Sequence, residues 1–286
     1  MPFLQVENLT YTYNKDTPFY KDAITDISFS AEKGEIIGII GHTGSGKSTL
    51  VQHLNGLIKA NSGRVLLEGK DIWENPKEIK KIRSRIGLVF QYPEYQLFDE
   101  TVESDIAFGP KNMGITGDSL TKAVTNAMRC VELPLDYLKN SPFELSGGEK
   151  RRVAIAGVLA MEPEVIIFDE PTAGLDPRGR EIMMKTIKEY RQSHNALVFI
   201  VSHPMEDMAE LADKILVLNS GRLVAFDTPK KIFQDGEKLR SIGLTTPVVT
   251  QIFEQLRSKG YNLPYGVITV DQAVQVILAK GGKRHD

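Results

Sequence analysis

Two short glycine-rich segments carry the residue types that bind phosphate groups. The first runs from Gly41 to Thr49, and the second runs from Leu145 to Glu149. The first fits the pattern G-x-x-x-x-G-K-[ST] and stands between a strand pattern and a helix pattern, where backbone N–H groups curl around anionic oxygens. One fold rarely uses two such sites on one triphosphate. The pair therefore predicts two copies of the fold that close around each nucleotide.

Two side chains of the first segment have defined roles in this chemistry. Lys47 is expected to reach the β- and γ-phosphates, and the Ser48 hydroxyl is expected to bind Mg²⁺, a hard cation that prefers oxygen ligands. His42 and Thr43 occupy variable loop positions, and His42 receives no side-chain role. Nucleotide contacts are predicted along the whole loop, at Gly41, His42, Thr43, Gly44, Ser45, Gly46, Lys47, Ser48 and Thr49.

Two acids follow the apolar strand pattern at residues 165–168. Beside a phosphate-binding loop, Asp169 can hold the Mg²⁺ shell and Glu170 can orient and deprotonate a water molecule. The alternative is a pair of ordinary acids at a strand end. In the second glycine-rich segment, Ser146 suits the N-cap of a helix, and Gly147 and Gly148 leave N–H groups accessible to a phosphate. The alternative there is a tight turn before a helix.

The composition is that of an ordinary globular protein. Of the 286 residues, 25% are charged and 41% hydrophobic, and a net charge of −2 gives no reason to expect nucleic-acid binding. The single Cys130 excludes an internal disulfide and is expected to pack as a small apolar residue in a reducing compartment. No apolar run reaches the ~20 residues that a membrane span needs, so we expect any membrane role to depend on partners.

The order of patterns predicts an α/β fold. Residues 4–13 and 23–30 form an antiparallel entry, strands follow at 36–40, 62–73 and 86–90, and a basic helical stretch covers 77–85. Residues 92–161 have a helical character and are interpreted as an inserted subdomain. Strand and helix then alternate from 165 to 212, followed by a hairpin that turns at Ser220-Gly221 and a short helix at 230–234.

Two small helices are predicted after Gly243. Apolar stripes lie on Val248, Ile252 and Leu256, and then on Val270, Ala273, Val274, Ile277 and Leu278. Thr269 and Gln272 form a capping box. Because such helices cannot bury their stripes alone, they pack on the core or on a partner. The predicted domains are residues 1–240 and a helical extension at 241–286.

Residues 3–235 resemble the nucleotide-binding domain of ATP-binding cassette (ABC) transporters. The resemblance implies a RecA-like P-loop core with an antiparallel β subdomain and an inserted helical subdomain, and it implies ATP and Mg²⁺ as ligands. It assigns Gln91 to the Q-loop, in contact with Mg²⁺, and Asp176 to the D-loop. It assigns His203 to the switch histidine at the γ-phosphate. Tyr13 resembles the aromatic residue that stacks on adenine, with Tyr20 as the alternative.

The second segment departs from the family at one position, because Glu149 stands where glutamine is more frequent. The N–H and hydroxyl donors of the motif are expected to remain available. The added carboxylate is expected to lower nucleotide affinity or slow closure.

Three stretches, at residues 91–110, 154–161 and after 240, resemble the ATPases of energy-coupling factor (ECF) transporters, most closely the A-prime type. This implies an importer of vitamins or transition-metal ions at the cytoplasmic face of the cell membrane. The implied partners are a second ATPase chain (a paralogue or the chain itself), a transmembrane coupling protein and a membrane substrate-binding subunit. The aromatics of 92–98 suit a groove for a partner helix, or alternatively close the subdomain's own core.

Other functions remain open from the sequence. The chain could serve another ABC transporter, an exporter included, or act as a soluble ABC ATPase. A P-loop kinase is also possible but would not need the second segment, Asp176 or His203. The basic runs 80–85 and 150–152 are interpreted as solvated faces.

Overall fold

A computed structural model describes residues 1–15 and 17–281. The first third of the chain alternates strands and helices around the predicted phosphate loop. Its elements are β1 (Leu4–Tyr13), β2 (Lys21–Ala31), β3 (Ile36–Ile40), α1 (Lys47–Leu54), β4 (Ser62–Leu67), β5 (Lys70–Asp71), α2 (Ile79–Arg85) and β6 (Ile86–Val89).

The middle is helical, as predicted, and the last part returns to alternation before ending in helices. The middle holds α3 (Val102–Asn112), α4 (Gly117–Cys130) and α5 (Gly147–Leu159), with short 3₁₀ segments between them, the first at Pro93–Gln96. The last part holds β7 (Val165–Asp169), α6 (Pro177–His194), β8 (Leu197–Val201), α7 (Met205–Leu211), β9 (Lys214–Asn219), β10 (Arg222–Asp227), α8 (Pro229–Gln234), α9 (Gly236–Ser241), α10 (Val248–Ser258) and α11 (Val270–Gly281).

A six-stranded sheet forms the centre, in the order β10-β9-β3-β8-β7-β6. All neighbouring pairs are parallel except β9 with β10, the predicted hairpin. The strands β3 and β8 are buried along their whole length, which explains their apolar sequences without alternation. The register joins Ile39 to Val201 and Val201 to Asp169, so the carboxyl ends of these strands meet at one edge.

A second, antiparallel sheet has the order β2-β1-β4-β5. Its apolar face shares one core with α1 and one face of the central sheet, where Leu4, Ile24 and Leu50 are fully buried. This sheet confirms the predicted antiparallel entry. The opposite face of the central sheet packs on α3 to α7 through a larger core that includes Ile106, Ile155 and Phe168. Because β3 lies between the two cores, they fix the position of the phosphate loop that follows this strand.

The C-terminal helices bury one face and expose the other. Phe253 on α10 packs with Val267 and Ala273, whereas most of the predicted stripe residues face away from the chain. Of the predicted capping box, Thr269 accepts from the Gln272 N–H, but the Gln272 side chain accepts from Ile268 rather than from Thr269. The stripe residues left exposed are Val248, Ile252, Val270, Val274, Ile277 and Leu278.

This exposure excludes packing of those stripes on the core of the same chain, which leaves a partner as the predicted alternative. The division at residue 240 falls inside α9 and stays a prediction. Among the described residues, none of the helices has both the length and the apolar character required to cross a bilayer.

Candidate functional site

The carboxyl edge of the central sheet gathers most of the predicted site residues. Gly41 follows β3, Gln91 follows β6 by two residues, and Asp169 closes β7. His203 follows β8 by two residues, and the last residue of β8, Val201, pairs with Asp169 at the end of β7. In a doubly wound sheet this edge is where ligands bind. The positions predicted separately from the sequence thus converge on one edge.

The loop between β3 and α1 has the geometry of a phosphate cradle. Gly46 precedes α1 with a φ of 103°, and Gly44 has a φ of 81°, values that glycine adopts without strain. A Cβ at Gly41 would lie 2.5 Å from the Leu218 carbonyl oxygen, so only glycine fits there. The Ser45 side chain is fully buried below the loop. The sequence therefore folds locally into a loop that opens toward the N-terminus of α1.

Lys47 is buried beneath this loop and holds it from inside. Its Nζ donates to the carbonyl oxygens of Gly41, at 2.6 Å, and His42, at 3.2 Å. Burial lowers the pKa of Lys47, while Glu170 and Asp169 act in the opposite direction. The ammonium group thus lies within the field of both acids, where an anionic phosphate would compensate its desolvation.

The two acids at the end of β7 are both affected by burial. Burial raises the pKa of Asp169 and of Glu170, and Glu170 is only 7% exposed. One carboxylate oxygen of Glu170, Oε1, is buried without a hydrogen-bond partner and lies 3.4 Å from His203 Nε2. A carboxylate with an unpaired oxygen and a raised pKa is suited to accept a proton from water.

The donor set fits Mg²⁺ bound together with a nucleotide. The described residues contain no group of three or more His, Cys, Asp or Glu side chains placed to hold a metal. Mg²⁺ usually takes one or two carboxylates, and substrate phosphates complete its shell. The Asp169 carboxylate and the Ser48 hydroxyl are oxygen donors of that kind. Gln91 is exposed, and its side chain makes no hydrogen bond to any of the described residues.

Tyr13 lines a cavity of about 170 Å³ together with Gly44 and the residues from Gly46 to Thr49. Its hydroxyl lies 3.3 Å from Thr49 Oγ1, and its ring packs edge-on against Tyr11 at 4.9 Å. Tyr20, the alternative, is largely exposed and does not line this cavity. The geometry favours Tyr13 as the residue beside a base.

The second glycine-rich segment begins α5 as predicted, but its serine is not free. Ser146 is the N-cap, and its Oγ and its backbone N–H both donate to Glu149 Oε2, at 2.6 and 2.9 Å. Tyr137 donates to the other carboxylate oxygen at 3.2 Å. Hydrogen bonds from Ser146 lower the pKa of Glu149, which is therefore ionised at neutral pH. The expectation that the hydroxyl donor remains available is wrong for this chain, because Glu149 occupies it.

Asp176 is the N-cap of α6, where its carboxylate accepts from the Gly179 N–H at 2.7 Å. Ser146 and Gly148 line a cavity of about 480 Å³ together with Gly174 and Asp176, and this cavity shares no residue with the one beside Tyr13. The two glycine-rich segments of one chain thus line two separate cavities. Gly147 lies in the first turn of α5 with open space at its Cβ position.

Sequence reasoning missed Arg151, which was interpreted as part of a solvated basic face. Arg151 is 4% exposed, and its guanidinium donates to the backbone carbonyl oxygens of Glu170 and Ala173. The interpretation is wrong because α5 packs over the end of β7, so this side chain points into the protein. The sequence around Arg151 does not indicate that this basic side chain is buried.

A large open groove lies beside the segment after Gln91. Its volume is about 1090 Å³, and it runs between α2, α3, α5 and residues 96–98. Phe98 and Phe108 meet edge-on at 5.0 Å in its wall, and Tyr95 is 84% exposed near it. Exposed aromatics contradict a role in closing the subdomain's own core and favour the groove. The other apolar groove residues are Leu97, Met113, Val153, Val158 and Met161.

Comparison with known families agrees with this geometry. A family model described as "ABC transporter" matches residues 24–173. A relative from Clostridium tetani, named "Energy-coupling factor transporter ATP-binding protein EcfA2", is 49% identical, with 96% of each chain covered. A relative of the same name from Caldanaerobacter subterraneus is 48% identical over the same share of each chain.

Two solved structures extend the comparison to the fold. CbiO1 from Clostridium perfringens, described as part of the ABC transporter complex cbiONQ, has a TM-score of 0.74 at 39% identity, covering 84% of this chain and 94% of its own. The ATP-binding cassette MJ0796, solved as a dimer in a post-hydrolysis state with ADP and Pi, has a TM-score of 0.71 at 27% identity, covering 79% and 98%. The likeness therefore extends over about four-fifths of this chain.

Proposed function

Because the chain belongs to the ABC transporter ATPases and, within them, to the ECF transporter ATP-binding proteins, we propose that it hydrolyses ATP to drive uptake of a vitamin or a transition-metal ion. The observation that carries this proposal is the edge of the central sheet. There Lys47, Asp169, Glu170 and His203 lie in one electrostatic neighbourhood beside the phosphate loop. A phosphate-binding lysine, two acids and a histidine at one site are the residue types that catalyse phosphoryl transfer to water.

In this proposal each residue has one task. Lys47 and the loop N–H groups bind the phosphates, and Tyr13 contacts the adenine. Asp169, Ser48 and Gln91 would hold Mg²⁺, which would neutralise phosphate charge when bound. Glu170 takes the proton of the attacking water, and His203, 3.4 Å from its Oε1, contacts the γ-phosphate.

The separation of the two cavities, one beside the phosphate loop and one beside Ser146, supports a second ATPase chain as partner. Ser146, Gly147, Gly148 and Asp176 would face the nucleotide on that chain, whereas the loop after β3 would bind its own. The exposed stripes of α10 and α11 offer further apolar surface for an ATPase partner. The dimeric state of the MJ0796 cassette is consistent with this arrangement.

The groove beside the segment after Gln91 supports a membrane coupling protein as the second kind of partner. Aromatic and aliphatic side chains line much of this groove, together with Lys80, Lys81, Arg83 and Asp105. A helix with an apolar face fits such a groove. The chain would then lie at the cytoplasmic face of the membrane, bound to the coupling protein and through it to a substrate-binding subunit.

Glu170→Gln tests the assignment of the general base. We expect ATP binding to persist and turnover to fall by about 10² to 10⁴, the usual loss when a general base is removed. Glu181→Gln, an exposed change on α6, is the matched control. Turnover of Glu170→Gln within twofold of the unchanged protein would refute the assignment.

A further inference from the structure

Arg151 connects the helix that follows Ser146 to the backbone of Glu170. Its two terminal nitrogens donate to the carbonyl oxygens of Glu170, at 2.7 Å, and Ala173, at 2.6 Å. Both acceptors lie in the loop between β7 and α6, whereas Arg151 belongs to α5. A planar guanidinium that makes two such bonds fixes both direction and distance.

The peptide that Arg151 holds is conformationally unusual. Glu170 has a φ of 53°, in the left-handed region that side chains other than glycine rarely adopt. Its N–H donates to the Val201 carbonyl at 2.8 Å, and its own carbonyl also accepts from the Ala173 N–H at 3.3 Å. Such a conformation persists only where neighbouring groups over-determine it. Among the described residues, the Glu170 backbone takes part in three hydrogen bonds, and Arg151 supplies the side-chain donor in one of them.

The helix that carries Arg151 also packs against the segment that follows Gln91. Burial lowers the pKa of Arg151, and the negative charge of Glu94 acts in the opposite direction. One carboxylate oxygen of Glu94 is buried without a hydrogen-bond partner. The helix α5 thus contacts the segment that borders the large groove, and its Arg151 holds the backbone of the residue assigned to catalysis. The Arg151 Nε is also buried and has no hydrogen-bond partner among the described residues.

We propose that Arg151 is a positioning residue for ATP hydrolysis, which couples the orientation of α5 to the placement of the Glu170 carboxylate through the Glu170 carbonyl. The proposal rests on the role of Glu170 as base. When α5 moves with the helical segment, the guanidinium moves with it and the hold on the Glu170 peptide changes. A base displaced by about 1 Å can lose on the order of 10²-fold in rate.

The test uses the complex that co-purifies with the tagged chain. Arg151→Gln and Arg151→Lys are made in the unchanged protein and in the Glu170→Gln background, with Lys150→Gln on the same helix as control. We expect Arg151→Gln to lower kcat about 10- to 100-fold, within the range for a misplaced catalytic group. ATP affinity should stay within twofold, and Arg151→Lys should restore part of kcat. In the Glu170→Gln background Arg151→Gln should cause no further loss.

Several results would overturn the proposal. An equal loss in both backgrounds would mean that Arg151 acts independently of Glu170. A parallel loss of ATP binding, kcat and melting temperature would make its role purely structural, as would failure of Arg151→Lys to restore any kcat. If Arg151→Gln does not fold, Arg151→Lys decides alone, because lysine keeps the positive charge but lacks the forked donor geometry of the guanidinium. A lower kcat with normal ATP binding then supports the proposal, and a normal kcat refutes it.

If Glu170→Gln by itself leaves turnover intact, the base assignment fails and this inference fails with it. If Glu170→Gln abolishes turnover and Arg151→Gln leaves kcat unchanged, only the inference fails. The two failures are therefore distinguishable.

Discussion

Replacing Glu149 by glutamine should tighten the ATP-driven association of this chain with its ATPase partner. In the structure the Glu149 carboxylate accepts the hydrogen of the Ser146 hydroxyl at 2.6 Å. A γ-phosphate that is to accept the same hydrogen must displace the carboxylate and then lie beside its negative charge. The glutamine variant keeps the size of the side chain and removes the charge.

The magnitude follows from the geometry. A phosphate oxygen at hydrogen-bond distance from Ser146 Oγ would lie about 5 Å from the carboxylate oxygen that is bound there now. Two unit charges at that distance repel by roughly 1 kcal/mol in water and about 3 kcal/mol at an effective dielectric constant of 20. Because Glu149 is only partly buried, the lower figure applies. About 1 kcal/mol corresponds to roughly fivefold in affinity.

The assay measures association by light scattering as a function of ATP concentration. All chains carry Glu170→Gln, so that ATP is not consumed. We expect the half-maximal ATP concentration to fall about fivefold for Glu149→Gln and to stay unchanged for Glu144→Gln, an exposed acid two residues before the cap. An unchanged or higher ATP requirement for Glu149→Gln would show that its charge does not oppose closure.

The same substitution has a stability consequence of the opposite sign. The folded-state pKa of Glu149 is lowered, so its cap stabilises the native state above the unfolded pKa and loses this effect as the pH falls through the folded value. At pH 7 the Glu149→Gln variant should therefore melt slightly lower than the unchanged protein. The difference should vanish in acid, which a melting series across pH would test.

The remaining predictions concern the two partners. The double change Phe98→Ser and Phe108→Ser removes two groove aromatics, each contributing roughly 1 to 3 kcal/mol to the binding free energy. The membrane subunit should then be lost from the purified complex while ATP binding persists. The control Phe143→Ser, at 57% exposure outside the groove, should retain the membrane subunit. Mixing Lys47→Ala chains with Ser146→Arg chains should restore one intact site per pair if the chain pairs with itself, and otherwise only the paralogue should rescue activity. Full activity from a monomer at low concentration would contradict both versions.

The sequence predicted the sheet well because its strands carry unambiguous patterns. Ile36–Ile40 and Leu197–Val201 are apolar without alternation, and the structure buries both completely in parallel pairs. The helix after Ser146 was equally predictable, because a serine N-cap with an acid three positions later is a local signal. These features depend on residues close together in the chain.

What the sequence could not give depends on contacts between distant segments. Arg151 looks like its basic neighbours, and only the packing of α5 against the β7–α6 loop turns it inward. The state of the Ser146 hydroxyl was misjudged for a related reason. The capping geometry brings the Glu149 carboxylate back onto the serine, and a motif comparison records only which residue is present.

Both corrections concern the first turns of one helix, and together they suggest how two ATP sites communicate. At its N-cap, α5 presents Ser146, which in our proposal faces the nucleotide of the partner chain. Five residues later the same helix holds the backbone of its own Glu170 through Arg151. Release of Ser146 from Glu149 on closure would shift the first turn of α5, and Arg151 would carry that shift to the base of the other site. Coupling of this kind predicts that the Glu149→Gln variant changes kcat as well as ATP affinity, and that Arg151→Gln removes the effect on kcat while the effect on affinity remains.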